Sequence, residues 1–169
     1  MSHYSIWNTV IEQNLKDVII LEDDIRFEPF FKQRFKTIRK ELGNLDWDLV
    51  YLGRKILPNY EDEDWVKGSN HRLVHVDFTY GAYGYMLSNS GAKKLVNEKP
   101  LGKMIPVDDY LPIMYDRHPN ETWKKYFGKR NLKAYSVVPR LLFHAYSAGD
   151  DGLISDTENS AHIVEHDEL

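Results

Sequence analysis

The stretch Asp17-Val18-Ile19-Ile20-Leu21-Glu22-Asp23-Asp24 decides how the rest of this chain reads. Four apolar residues, three of them β-branched, stop abruptly at three consecutive carboxylates. The run is too short for a buried helix and too continuous for a half-exposed strand, so it predicts a strand covered on both faces. Acids at the carboxyl end of such a strand lie where open α/β sheets bind ligands. Two unit charges ~4 Å apart repel by ~4 kcal/mol at an effective dielectric near 20. Three adjacent carboxylates at a partly buried strand end therefore need a cation, a proton or solvent. A divalent metal holding a phosphorylated substrate meets that need. A solvated acidic turn that caps the next helix meets it as well.

The remaining composition narrows the function classes. A chain of 169 residues is one domain by length, and 42% hydrophobic with 28% charged residues is the composition of a globular protein with a real core. The formal net charge of −4 offers no basic surplus, so nucleic acid is not an expected partner. No run approaches the roughly 18 apolar residues of a membrane span. Eleven tyrosines and four tryptophans suit a site that stacks flat groups such as a base or a sugar face. Cysteine is absent, which excludes disulfides and thiolate metal sites.

Two further signals concern location. The chain closes on His166-Asp167-Glu168-Leu169, which matches the retrieval signal of soluble endoplasmic-reticulum proteins and predicts the endoplasmic reticulum lumen, with the retrieval receptor as a partner. Asn120-Glu121-Thr122 is an N-glycosylation sequon, a triplet common enough to carry little weight alone. The first residues show neither a basic region nor a long apolar segment of a signal peptide. Ile6, Trp7, Val10, Ile11 and Leu15 recur instead at helical spacing. The expectation is the C-terminal piece of a longer lumenal protein, with a cytosolic protein and a coincidental tail as the alternative.

In chain order, the first helix is expected over about 4–14 with Ser2 as its cap, followed by the strand 18–21. A helix over 27–42 has Pro29 in its first turn, an apolar stripe of Phe30, Phe31, Phe35 and Ile38, and Gly43 at its end. Its other face is basic, which reads first as a solvated surface. Residues 46–53 predict a second buried strand ending at Gly53, with Arg54 and Lys55 beyond its end, where phosphate contact is open to them. Residues 56–70 read as a loop and 73–78 as a short strand. Residues 80–88 alternate glycine with aromatics: a strand with packing glycines, or a wall where a backbone approaches a ligand. Short helices over 92–97, 110–115 and 123–126 and a strand over 134–138 complete the pattern.

A second acidic cluster, Pro106-Val107-Asp108-Asp109-Tyr110-Leu111-Pro112, sits at the start of one of these helices. Helix capping accounts for it; so does a general base. His144 lies beyond a late apolar run. In a chain with two acidic clusters it is a metal-ligand candidate.

Taken together, these motifs resemble the glycosyltransferase 25 family, in particular its animal procollagen galactosyltransferases. The likeness rests on residues 2–7, 21–27, 46–55, 106–112, 149–152 and 155–158, which occur in family order. It implies that residues 1–158 form the C-terminal part of a GT-A-type (Rossmann-like) α/β nucleotide-sugar transferase domain, truncated at its N-terminus, and that 159–169 are a polar tail with the retrieval signal. The implied reaction is an inverting, metal-dependent transfer of galactose from UDP-galactose to hydroxylysine of a collagen or collagen-like acceptor, with manganese as the metal. Carried onto this sequence, Glu22, Asp23 and Asp24 match the acidic metal motif, with Asp24 the direct ligand and Glu22 and His144 beside it. Asp108 or Asp109 would be the base, Asp108 being favoured. His3, Arg54, Tyr80 and Gly81, with Glu22 and Asp23, would line the donor site. Relatives place a histidine where Tyr146 stands here, two residues after His144. A non-catalytic lumenal or adhesion-type relative with the same fold is the rival reading.

Overall fold

The computed structural model describes residues 2–60, 63–103 and 105–145. Tyr146, the Gly149-Asp150-Asp151-Gly152 and Ser155-Asp156-Thr157-Glu158 segments, the boundary at 158 and the retrieval tail lie outside the described residues.

A mixed five-stranded sheet forms the centre, flanked by helices. Helix α1 (Ser2–Glu12) leads into β1 (Asp17–Leu21) and the short β2 (Ile25–Phe27). Helix α2 (Phe31–Leu42), β3 (Leu49–Ile56), β4 (Leu73–His75) and β5 (Thr79–Ser88) follow. Then come α3 (Asn89–Asn97), α4 (Val107–Met114), α5 (Glu121–Lys124), β6 (Ala134–Val137) and β7 (Leu142–His144). The sheet runs β1-β5-β3-β6-β4, and β2 pairs with β7 in a separate ribbon. Only β3 and β6 are parallel; the other three pairings are antiparallel.

Side-chain alternation divides the core into two layers. Ile20, Leu49, Tyr51, Tyr85 and Leu87 face one way, packing with Trp7 and Val10 of α1, Leu95 of α3 and Leu111 of α4. Val50, Leu52 and Met86 face the other, against Ile38 and Leu42 of α2 and Leu142 of β7. Strands β3 and β5 are thus the ones covered on both faces. The expectation that 18–21 is such a strand is corrected. β1 is the edge of the sheet, with Ile19 and Leu21 each 43% exposed and only Ile20 buried. Its continuous apolarity cannot reveal that one side of the strand meets no neighbour among the described residues.

Three boundaries also move. The helix expected from Phe27 begins at Phe31, because Phe27 pairs in β2 and Phe30 turns the chain in a left-handed conformation (φ 61°). Ser2 lies within α1 and does not cap it. β3 runs through Gly53 to Ile56, so Arg54 and Lys55 are strand residues. Gly53 marks a close approach: a Cβ there would stand 2.5 Å from the Leu142 carbonyl oxygen and 2.7 Å from the Leu142 Cβ. Gly53→Ala is expected to cost about 1–3 kcal/mol through overpacking, read as a lower denaturation midpoint at unchanged m-value.

Candidate active site

The two acidic clusters converge. The end of β1 delivers Glu22, Asp23 and Asp24 to a cleft of about 480 Å³, shared with Ser2, His3 and Ile6 of α1 and with Ile20 and Leu21. The Glu22 backbone N–H donates to the Tyr83 carbonyl (3.1 Å), continuing the β1–β5 pairing by one residue. The first turn of α4 brings Asp108 to β5 beside Tyr83: its Oδ1 accepts from the Ala82 N–H (3.0 Å). Asp108 and Asp109 lie in that first turn, where the helix dipole favours negative charge.

Burial pushes the Glu22 carboxyl up to about 7, helped by the charges of Asp108, Asp24 and Asp23 and opposed by His144. The shift ties the two clusters into one electrostatic unit. Burial also raises Asp108; its bond from Ala82 opposes the rise and Asp109 adds to it. A carboxyl raised in the folded state binds its proton more readily there than in the unfolded chain. Stability supplied by protonated Glu22 is therefore present below about 4.5 and lost as pH rises through about 7. Without added metal, Glu22→Gln is expected to flatten the stability-versus-pH curve over that window, as followed by urea midpoints.

Asp24 and His144 meet directly. β2 and β7 pair Ile25 with His144, which brings His144 Nε2 within 2.9 Å of Asp24 Oδ2. The Ala145 N–H donates to the Asp24 carbonyl (2.6 Å), fixing the backbone on both sides. Asp24 Oδ1 is buried and makes no hydrogen bond among the described residues. A buried carboxylate oxygen without a donor, surrounded by further carboxylates, fits a cation. The chain does not build a closed cage. Among the described residues, no three or more histidine or acidic side chains are grouped to hold a metal. Divalent ions that act on phosphates are commonly held by one or two carboxylates, with the phosphates and water completing the shell.

The remaining sequence-derived residues fall into two sets. His3 joins the cleft, where its Nδ1 lies 2.9 Å from the Tyr85 hydroxyl and its ring stacks on that tyrosine; burial lowers its pKa. Tyr80 is pushed up to about 12 by burial, with the charges of Asp109 and Asp108 nearby. Gly81 adopts φ +67°, and a Cβ there would strike the Tyr83 ring at 2.6 Å. Arg54 is a correction. Far from lying exposed beyond a strand end, it is fully buried within β3, donating from Nε to Ser136 Oγ (2.8 Å) and pairing through Nη2 with Glu63. That pairing removes its head group from any phosphate.

Three residues of this region were not singled out by the sequence. Tyr83 bonds Glu22 through its carbonyl, packs over Gly81 and approaches His144 (ring centroids 5.6 Å). Burial raises its hydroxyl pKa, Arg140 opposes the rise, and Asp108, Glu22 and Asp24 add to it. Arg140, the second, therefore sets a positive charge near the Tyr83 hydroxyl. The third is His118, 4% exposed, with Nε2 3.1 Å from Asp109 Oδ1 and Nδ1 accepting from the Asn120 N–H (3.0 Å). Since Nδ1 accepts, Nε2 carries the proton and donates to Asp109. Asp109 is thus engaged by a buried histidine, and Asp108 is the acid of the pair whose charge acts on Glu22. The glycine–aromatic alternation of 80–88 was a signal for Tyr83. Nothing in the local sequence marked His118.

This sheet with acids converging at one strand end is compatible with a glycosyltransferase domain. Residues 1–111 match Glycosyltransferase family 25 (LPS biosynthesis protein). The chain belongs to that family. It is 50% identical over 164 residues to a glycosyltransferase 25 family member of Aedes aegypti, covering 96% of this chain and 27% of that protein. It is 49% identical to procollagen galactosyltransferase 1-B of Xenopus laevis, covering 95% of this chain and 26% of the relative. It is 42% identical to human procollagen galactosyltransferase 2, again covering 95% and 26%. The chain thus spans about a quarter of the length of these relatives. Among the described residues no helix is long and apolar enough to cross a membrane.

Proposed function

We propose that this chain forms the catalytic end of a GT-A-type, manganese-dependent inverting glycosyltransferase. The reaction is transfer of galactose from UDP-galactose to the hydroxyl of hydroxylysine in a collagen or collagen-like acceptor, in the endoplasmic reticulum lumen. The retrieval receptor is the partner expected for the tail. The observation that supports the reading is the buried Asp24 oxygen, without a donor among the described residues, in one cleft with Glu22, whose carboxyl in turn feels the charge of Asp108.

Asp24 and His144 would hold the ion, with Glu22 behind them and Asp23, the exposed member, toward solvent. A bound divalent ion supplies charge neutralisation on the diphosphate as UDP departs. Asp108 serves as the base: it takes the acceptor hydroxyl proton as that oxygen bonds to the sugar carbon and the bond to UDP breaks. Its raised pKa brings it closer to the working pH of a general base. Asp109, oriented by His118, fixes the first turn of α4. Tyr80, Gly81, Tyr83 and His3 wall the donor side, where the left-handed Gly81 lets the Tyr83 ring lie against the backbone.

Calorimetry on the full-length protein tests this reading. UDP binding is expected only with manganese present, and UDP release from UDP-galactose is expected to require a hydroxylysine-bearing peptide. Absence of both UDP and manganese binding would favour the non-catalytic relative.

A further inference from the structure

We infer that Asn120 carries an N-linked oligosaccharide. Only the lumenal location proposed above is needed for this, not the transfer chemistry. The triplet Asn120-Glu121-Thr122 has glutamate in its middle position, where proline would block modification. In the fold it forms the entry to α5, with Asn120 half-exposed and Glu121 and Thr122 exposed.

The asparagine is held in a way that leaves its nitrogen available. Asn120 Oδ1 accepts from the Trp123 N–H (3.0 Å), and its backbone N–H donates to His118 Nδ1 (3.0 Å). Glu121 is engaged by Lys124 (2.8 Å) and does not compete for the amide. Among the described residues Asn120 Nδ2 donates no hydrogen bond. Modification would join Nδ2 to the anomeric carbon of an oligosaccharide carried on a lipid diphosphate. One Nδ2 proton is given up, the bond from that carbon to the diphosphate breaks, and the lipid diphosphate leaves. The amide carbonyl is unchanged, so Oδ1 still caps α5 and the backbone contact to His118 survives. A bulky polar group at this turn meets solvent, as surface glycans do. The local fold therefore accommodates the glycan without giving up any bond that it makes.

The full-length protein, expressed in eukaryotic secretory cells and recovered from the endoplasmic-reticulum fraction, tests this by mass spectrometry of the tryptic peptide 118–124. Most copies are expected to carry a hexose-rich glycan on an N-acetylhexosamine base, removable by peptide N-glycosidase. Thr122→Ala and Asn120→Ser, the second of which keeps a capping oxygen, should abolish it; Thr122→Ser should retain it. Recovery of the wild-type peptide unmodified from that fraction overturns the inference while leaving galactosyl transfer, assayed on the same sample, untouched. A protein found only in the cytosol, with its peptide unmodified, overturns both the glycan and the lumenal location. A glycosylated protein that binds neither UDP nor manganese supports the glycan and sinks the transferase reading alone.

Discussion

Asp24→Ala in the full-length protein is expected to lower galactosyl transfer by about 10³-fold, the scale of losing a preorganised electrostatic contact at a developing charge. The cause is local. Among the described residues, Asp24 supplies the one carboxylate in the cleft with a buried oxygen lacking a donor, and its second oxygen meets His144. Removing it leaves the β2–β7 ribbon in place, because the Ala145 bond is made to the Asp24 backbone carbonyl. Folding should therefore be nearly unchanged, with a urea midpoint close to that of the parent. Asp24→Asn should behave alike, since the amide keeps the shape but loses the charge. Manganese-dependent UDP binding should disappear with the activity in both variants. Transfer that survives both substitution and chelation would remove the basis of the proposed mechanism.

Arg54→Met should produce the largest loss of stability, about 3–5 kcal/mol, the range for stranding one partner of a buried ion pair. Arg54 is 0% exposed and Glu63 is 6% exposed at its side chain, so neither charge reaches bulk water. Glu63 also accepts from the Asp77 N–H (2.7 Å), fastening the segment before β4 to the turn that enters β5. With the guanidinium removed, Glu63 is left buried with, among the described residues, only the Asp77 donor, and Ser136 Oγ loses its partner from Arg54 Nε. The double variant Arg54→Met with Glu63→Gln should recover much of the loss, since no unpaired charge remains. Denaturant unfolding of the four proteins forms a double-mutant cycle. A single-variant loss below about 1 kcal/mol would contradict the pairing.

These two residues also show where the sequence misleads. Arginine directly after a glycine, beside lysine and before an acidic segment, looks like surface charge. It is buried because Glu63 returns from that segment to neutralise it, a partner nine positions away that no local pattern reveals. His118 is hidden in the same manner: Asp-Arg-His-Pro has the composition of a turn, and only the packing of α4 against that turn brings the ring to Asp109.

By itself, the sequence determined the element types and most of their positions, because apolar periodicity and turn residues act within a few residues of chain. It also determined the acidic content of the site, since repelling carboxylates at a strand end and a helix start are visible as letters. Only the tertiary structure decided the strand order, with β1 at the edge and β3 and β5 at the centre. An apolar run has the same composition whether one neighbour or two cover it. Convergence was likewise a tertiary outcome: Glu22 and Asp108, 86 positions apart, come within reach of each other's charge because Glu22 bonds to Tyr83 of β5 and Asp108 to the adjacent Ala82.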